Sequence, residues 1–183
     1  PLNDDFNGAS QRGFGYYQVT QKDGRRCSTA AGYLNPARSR PNLTIVTHAL
    51  AQRLLVEQGR VVGVEYRRKR RLEQVRASGE VLLSAGAINS PQLLLLSGIG
   101  PAQGLEAAGR EVVHELPGVG RNLQDHLDIC TLYQCTQDIT YDQANELAAG
   151  LKYLLFHKGM GTSNVAEAGG FMVSDRATDD RPD

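Results

Sequence analysis

The chain has 183 residues, 40% hydrophobic and 22% charged, with a formal net charge of +0. That composition fits a folded globular protein rather than a disordered one, and balanced charge gives no bulk attraction to nucleic acid or anionic lipid. Twenty glycines imply tight turns, while Cys27, Cys130 and Cys135 have neither paired nor metal-ligand spacing and read as reduced, partly buried thiols of a cytoplasmic protein.

The opening, PLNDDFNGAS, carries no signal-peptide pattern. With no initiator Met and a close at DDRPD in mid-loop, the chain is expected to be a segment of a longer protein. Residues 15–21 read as a short strand, and residues 27–34 as a short helix capped by Ser28. Apolar runs at 43–47, 51–56 and 61–66, with Gly59 between the last two, predict three antiparallel strands in series, a meander. Residues 80–86, EVLLSAG, lack alternation, as expected for a strand buried on both faces of a parallel sheet.

GAINSPQLLLLSGIGP comes next. Ser90 and Pro91 predict a helix start, and Gly98 a left-handed stop. Residues 93–96 are leucines that cover every face, so a buried helix is expected; the run is far short of the about 20 residues that span a bilayer. Strand, small-residue loop and helix make half of a βαβ unit. Ser84, Ala85 and Gly86 are small enough to let a cofactor approach the backbone there. Residues 127–135 read as another β-type run, residues 140–161 as an amphipathic helix ending near Gly159, and GTSNVAEAGGFMVSD as a loop entering a strand.

Three motifs have plainer readings than their functional ones. GIGPAQG is a loose GxGxxxG, but it follows a helix, so its glycines are better explained as a helix stop than as a dinucleotide loop. Arg67 to Arg71, RRKRR, is flanked by Glu65 and Glu73 and reads as a solvated hairpin tip rather than a nucleic-acid patch. His126, between Asp125 and Asp128, lacks a second histidine at ligand spacing and reads as structural.

SAGAINSPQLLLLSGIGP resembles the second signature of the glucose–methanol–choline oxidoreductases, flavoenzymes that oxidise alcohols. LPGVGRNLQDH is similar to the next block of that family, and GMGTSNVAEAGGF to its choline-dehydrogenase-like branch. The resemblance implies an α/β fold with helices and strands mixed: part of an FAD-binding Rossmann-like domain with a β-meander, plus part of a substrate-binding domain. It implies residues 1–38 as a substrate-domain edge and link, 39–122 as part of the FAD domain, and 123–183 as part of the substrate domain.

The same resemblance implies that Ala51 lies where backbone contacts the adenine of FAD, and Ala85 and Gly86 where the chain passes the adenosine. It implies that Glu167 faces a cationic substrate group, against the plainer reading of a structural loop carboxylate. No catalytic residue and no metal is expected in this segment. The expected partners are an alcohol, the rest of the parent chain and a possible second copy, with no nucleic acid and no membrane span. A non-catalytic scaffold with the same fold is the alternative.

Overall fold

A computed structural model describes residues 1–137, 140–141 and 144–182. In chain order the described elements are β1 (Gly13–Tyr16), β2 (Gln21–Lys22), β3 (Arg25–Arg26) and a π-helical turn (Ala30–Leu34) that runs into α1 (Asn35–Ala37). There follow β4 (Ala49–Glu57), β5 (Arg60–Arg68), β6 (Arg71–Arg76), α2 (Gly86–Leu96), β7 (Ile99–Gly100), α3 (Ala102–Ala107) and β8 (His114–Glu115). The last are α4 (Glu146–Phe156), a 3-10 turn (Met160–Thr162) and β9 (Ala168–Phe171). Helix and strand are mixed, as the α/β expectation requires. They gather into two units: residues 44–130, and residues 1–43 with 131–183.

In the first of these units, β4, β5 and β6 form an antiparallel meander. Its turns place Gln58 and Gly59, then Lys69 and Arg70, at φ of 50, 75, 46 and 68°. Paired positive φ is the type I′ turn, whose twist suits a hairpin. The meander is one strand out of step with expectation. Residues 43–47 are unpaired, and His48, at φ 54°, interrupts the run just before β4.

The third strand is instead RLEQVR, held by polar cross-strand pairs that hydrophobic periodicity does not reveal. Tyr66 Oη donates to Glu73 at 2.8 Å, Gln74 Nε2 to Glu65 at 2.8 Å, and Arg76 to Glu57 at 2.6 Å. The RRKRR run does form the β5–β6 hairpin tip.

Of residues 80–86, the first five join no ladder among the described residues, and Ala85 and Gly86 already bend into the next helix. Val81 and Leu83 pack on the core while Leu82 is 84% exposed, so the segment has one buried face, not two. A parallel strand needs partners supplied across a crossover, and no described strand lies beside this one.

Helix α2 starts earlier than expected, at Gly86. Ser90 lies inside it and its Oγ accepts the Ala85 N–H at 3.1 Å, satisfying an orphan donor from within the first turns. Pro91 is therefore internal and cannot donate to the Ala87 carbonyl. Of the four leucines only Leu93 is buried, where it meets Leu54 and Ile99.

The stop is as expected. Gly98 has φ 77°, and a Cβ there would lie 2.5 Å from the Glu111 carbonyl oxygen. Beyond it β7 pairs in parallel with β8, with α3 crossing between them. Ser97, buried at the helix end, accepts the Leu54 N–H at 2.8 Å and donates to the Leu93 carbonyl at 2.6 Å, tying α2 to β4.

In the other unit, β1 pairs antiparallel with β9 across more than 150 residues of sequence. Phe6 is buried between the rings of Tyr17 and Phe171, with centroids 5.7 and 5.3 Å away. Ser28 Oγ lies 3.4 Å from the Ala31 N–H, a loose version of the expected cap. Asn145 caps α4 by accepting the Ala148 N–H at 3.0 Å, and His157 closes it at φ 52°, two residues before Gly159. Of the expected 140–161 helix, Asp142 and Gln143 lie outside the described residues.

Residues 127–135 form no strand, and Leu127, Ile129, Leu132 and Tyr133 are exposed. The three cysteines are free; Cys27 is half-buried, but Cys130 and Cys135 are exposed rather than partly buried. Among the described residues no helix is long and apolar enough to cross a membrane.

Candidate functional site

Ala85 and Gly86 sit together at the start of α2, both exposed. Gly86 has φ 89°, a conformation that itself favours glycine, and a Cβ there would meet nothing within 4 Å. Its absence of a side chain thus has a backbone cause, and open space lies beside it. Ala51 is on β4, exposed and opposite Tyr66. The β4–β5 register shifts between Ala51 and Arg53, so Gln52 is the extra residue of a bulge. Bulges bend a strand and re-aim its neighbours.

What joins β4 to α2 in this unit is the far end of the helix, through Ser97 and the Leu54–Leu93–Ile99 cluster. A mostly apolar groove of about 760 Å³ runs along most of α2, lined by Ile88, Pro91, Leu95, Val119 and Asn122 among others. That volume suits a small-molecule ligand. None of the expected cofactor residues lines it.

On β5, in register with Arg53 of β4, Glu65 is buried and fixed from two sides. Arg53 donates to it at 2.8 and 3.3 Å and Gln74 at 2.8 Å; these bonds, Arg53 first, hold its carboxyl below the usual carboxylate range. The group is structural, a cross-strand clamp. His126 is exposed, and its own N–H donates to Asp125 Oδ1 at 2.9 Å.

Glu167 is in the other unit, on the residue before β9. It is exposed, and hydrogen bonds from Ser163 and then Tyr141 hold its carboxyl below the usual carboxylate range. Tyr141 Oη stands 3.0 Å from Glu167 Oε1 and 2.6 Å from Ser163 Oγ. Sequence reading missed both hydroxyl residues. Ser163 had a local signal, a serine two residues before a turn, whereas Tyr141 is 26 residues from Glu167 and meets it only through the fold.

The chain has the fold of a part of flavoprotein oxidoreductases. It superposes on an FAD-dependent oxidoreductase from Chaetomium thermophilum with a TM-score of 0.74 at 26% identity, covering 90% of this chain and 31% of that one. On the pyridoxine 4-oxidase from Mesorbium loti the TM-score is 0.62 at 39% identity, covering 66% and 24%.

Residues 1–128 match the family model described as GMC oxidoreductase, and the chain belongs to that family of FAD-binding enzymes. Among its relatives are the oxygen-dependent choline dehydrogenase of Stenotrophomonas maltophilia (strain K279a), 49% identical over 98% of this chain and 33% of the relative. The alcohol dehydrogenase [acceptor] of Pseudomonas putida is 48% identical over 94% and 33%. The chain spans about a third of the length of the curated relatives it matches.

Proposed function

We propose that the chain is the central portion of an FAD-dependent alcohol oxidoreductase of choline-dehydrogenase-like type. The observation that carries this reading is the match over 98% of this chain, at 49% identity, to a third of an oxygen-dependent choline dehydrogenase. FAD, when bound, supplies the acceptor for hydride leaving the alcohol carbon.

The residues present fit such a cofactor in size and access. Ala51, Ala85 and Gly86 are small and exposed, and the space beside Gly86 is open. In this reading Ala85 and Gly86 border the adenosine, Ala51 meets the adenine through its backbone, and the groove along α2 is a neighbouring feature of the same unit. Residues 1–43 and 131–183 supply Glu167, a charged carboxylate for a cationic alcohol head; in a partly desolvated chamber that attraction exceeds its value in water. The catalytic base comes from the rest of the parent chain. Three free cysteines favour a reducing, cytoplasmic setting.

The test is spectroscopic. The purified parent protein is expected to carry flavin that choline bleaches under anaerobic conditions, and the 183-residue segment alone is expected to reduce no dye with alcohol and added FAD. A flavin-free parent would favour the scaffold alternative.

A further inference from the structure

Glu167 is held at three levels. Its carbonyl accepts the Tyr17 N–H at 2.9 Å, which fixes its backbone where the β1–β9 ladder begins. Before it runs a tight turn in which Val165, a β-branched residue, has φ 71°. Such a conformation is costly for this residue type and persists only where its surroundings enforce it. Here the enforcing bonds are visible: the Val165 N–H donates to Ser163 Oγ at 2.9 Å, and Asn164 Nδ2 donates to the Ala166 carbonyl at 2.7 Å.

The third level is the side chain. A carboxylate can only accept hydrogen bonds, while Tyr141 and Ser163 each bring one O–H. With Tyr141 Oη within reach of both partners, the two protons can run from Ser163 through Tyr141 or from Tyr141 through Ser163. Either way the last acceptor is Glu167. An exposed glutamate without these bonds would sample many rotamers. This one is aimed.

We propose that Tyr141 and Ser163 are positioning residues that hold the Glu167 carboxylate in one orientation toward an ammonium head group, so that preference for cationic over neutral alcohols depends on both hydroxyls. The inference rests on the reading of Glu167 as the substrate's charge partner. Tyr141 acts through that carboxylate alone, and Ser163 acts through it while also holding the Val165 turn. Losing either hydroxyl frees the side chain and lets it take up a proton at higher pH, so cation affinity falls sooner on acidification.

The experiment uses the full-length flavoenzyme and its Tyr141→Phe, Ser163→Ala, Ser163→Thr and Glu167→Gln variants. Tetramethylammonium serves as an unreactive cation, its binding read from the flavin spectrum across pH, alongside KM for choline and for a neutral alcohol of similar size. Tyr141→Phe and Ser163→Ala are each expected to weaken tetramethylammonium binding about fivefold at mildly acidic pH and to move the acid limb of binding upward. The choline KM should follow, the neutral-alcohol KM should move much less, and Ser163→Thr should restore most of the loss.

Glu167→Gln separates the two levels of the reading. If it removes the cation preference while Tyr141→Phe and Ser163→Ala leave both binding and its pH limb unmoved, Glu167 keeps its role and the positioning inference is overturned. If Glu167→Gln leaves the preference intact, both fall. Flavin content and melting temperature, measured on every variant, identify any that fails to fold. The Ser163 pair then decides if Tyr141→Phe is that variant.

Discussion

The two units are built in opposite ways. Residues 44–130 are contiguous: hairpin follows hairpin, then α2 returns onto β4, and every partner lies within about half the unit's length. The other unit is assembled from both ends of the chain, closed by β1 on β9 and by Phe6 between Tyr17 and Phe171. Local contacts cost little chain entropy to form, whereas distant ones must pay loop closure before any contact rewards it. The contiguous unit therefore carries the positions proposed to face the cofactor on a locally determined frame, while Glu167 depends on a joint between segments distant in the chain.

The largest expected effects test that contrast directly. Phe6→Ala empties the aromatic joint and is expected to cost about 3–5 kcal/mol, with hydrogen-exchange protection lost at 13–16 and 168–171 but kept at 49–76. Leu93→Ala opens the other core at a cost of about 2–5 kcal/mol and should show the reverse pattern. Uniform loss of protection from either variant would mean that the units share one cooperative core.

Gly98→Ala comes next. Left-handed backbone alone costs a residue with a Cβ about 1–2 kcal/mol, and here the methyl would also press on the Glu111 carbonyl, so denaturant unfolding should show at least that loss. A neutral result would show that the α2 stop is soft.

The smallest effect is the response to acid. Because Arg53 and Gln74 hold Glu65 below its unfolded value, the clamp stabilises the meander fully above the unfolded pKa, and this stability is lost as pH falls through the lower folded value. Stability measured from about pH 6 down to about pH 2 should fall less steeply in Glu65→Gln than in the parent sequence. Equal slopes would remove Glu65 from the acid response.

Local signals were legible and distant ones were not. The Gly98 stop, the RRKRR hairpin tip and the loop leading into β9 each follow from a few adjacent residues. β6 was hidden because its side-chain pairs run to Tyr66 and Glu65 on β5 and to Glu57 on β4, which hydrophobic alternation cannot register. The run at 43–47 misled for the converse reason: β-branched residues express strand propensity only against a partner surface. Ser90 looked like a cap and is one, but from inside the helix, reaching back to Ala85. At the candidate site Glu167 was singled out by family resemblance. Its hydroxyl partners emerged only when residues 141 and 163 were brought together in space.

The proposed division of labour between the units can be measured in one series, the flavin-to-protein ratio of the full-length enzyme carrying Gly86→Ala, Gly86→Leu or Glu167→Gln. Alanine and leucine impose the same backbone strain at φ 89°, and only leucine reaches into the open space beside the helix start. The expected result is a modest loss of flavin with alanine, a much larger loss with leucine and none with Glu167→Gln. Equal retention in the alanine and leucine variants would contradict the placement of FAD against Gly86, and flavin loss in Glu167→Gln would contradict the separation of cofactor wall from charge recognition.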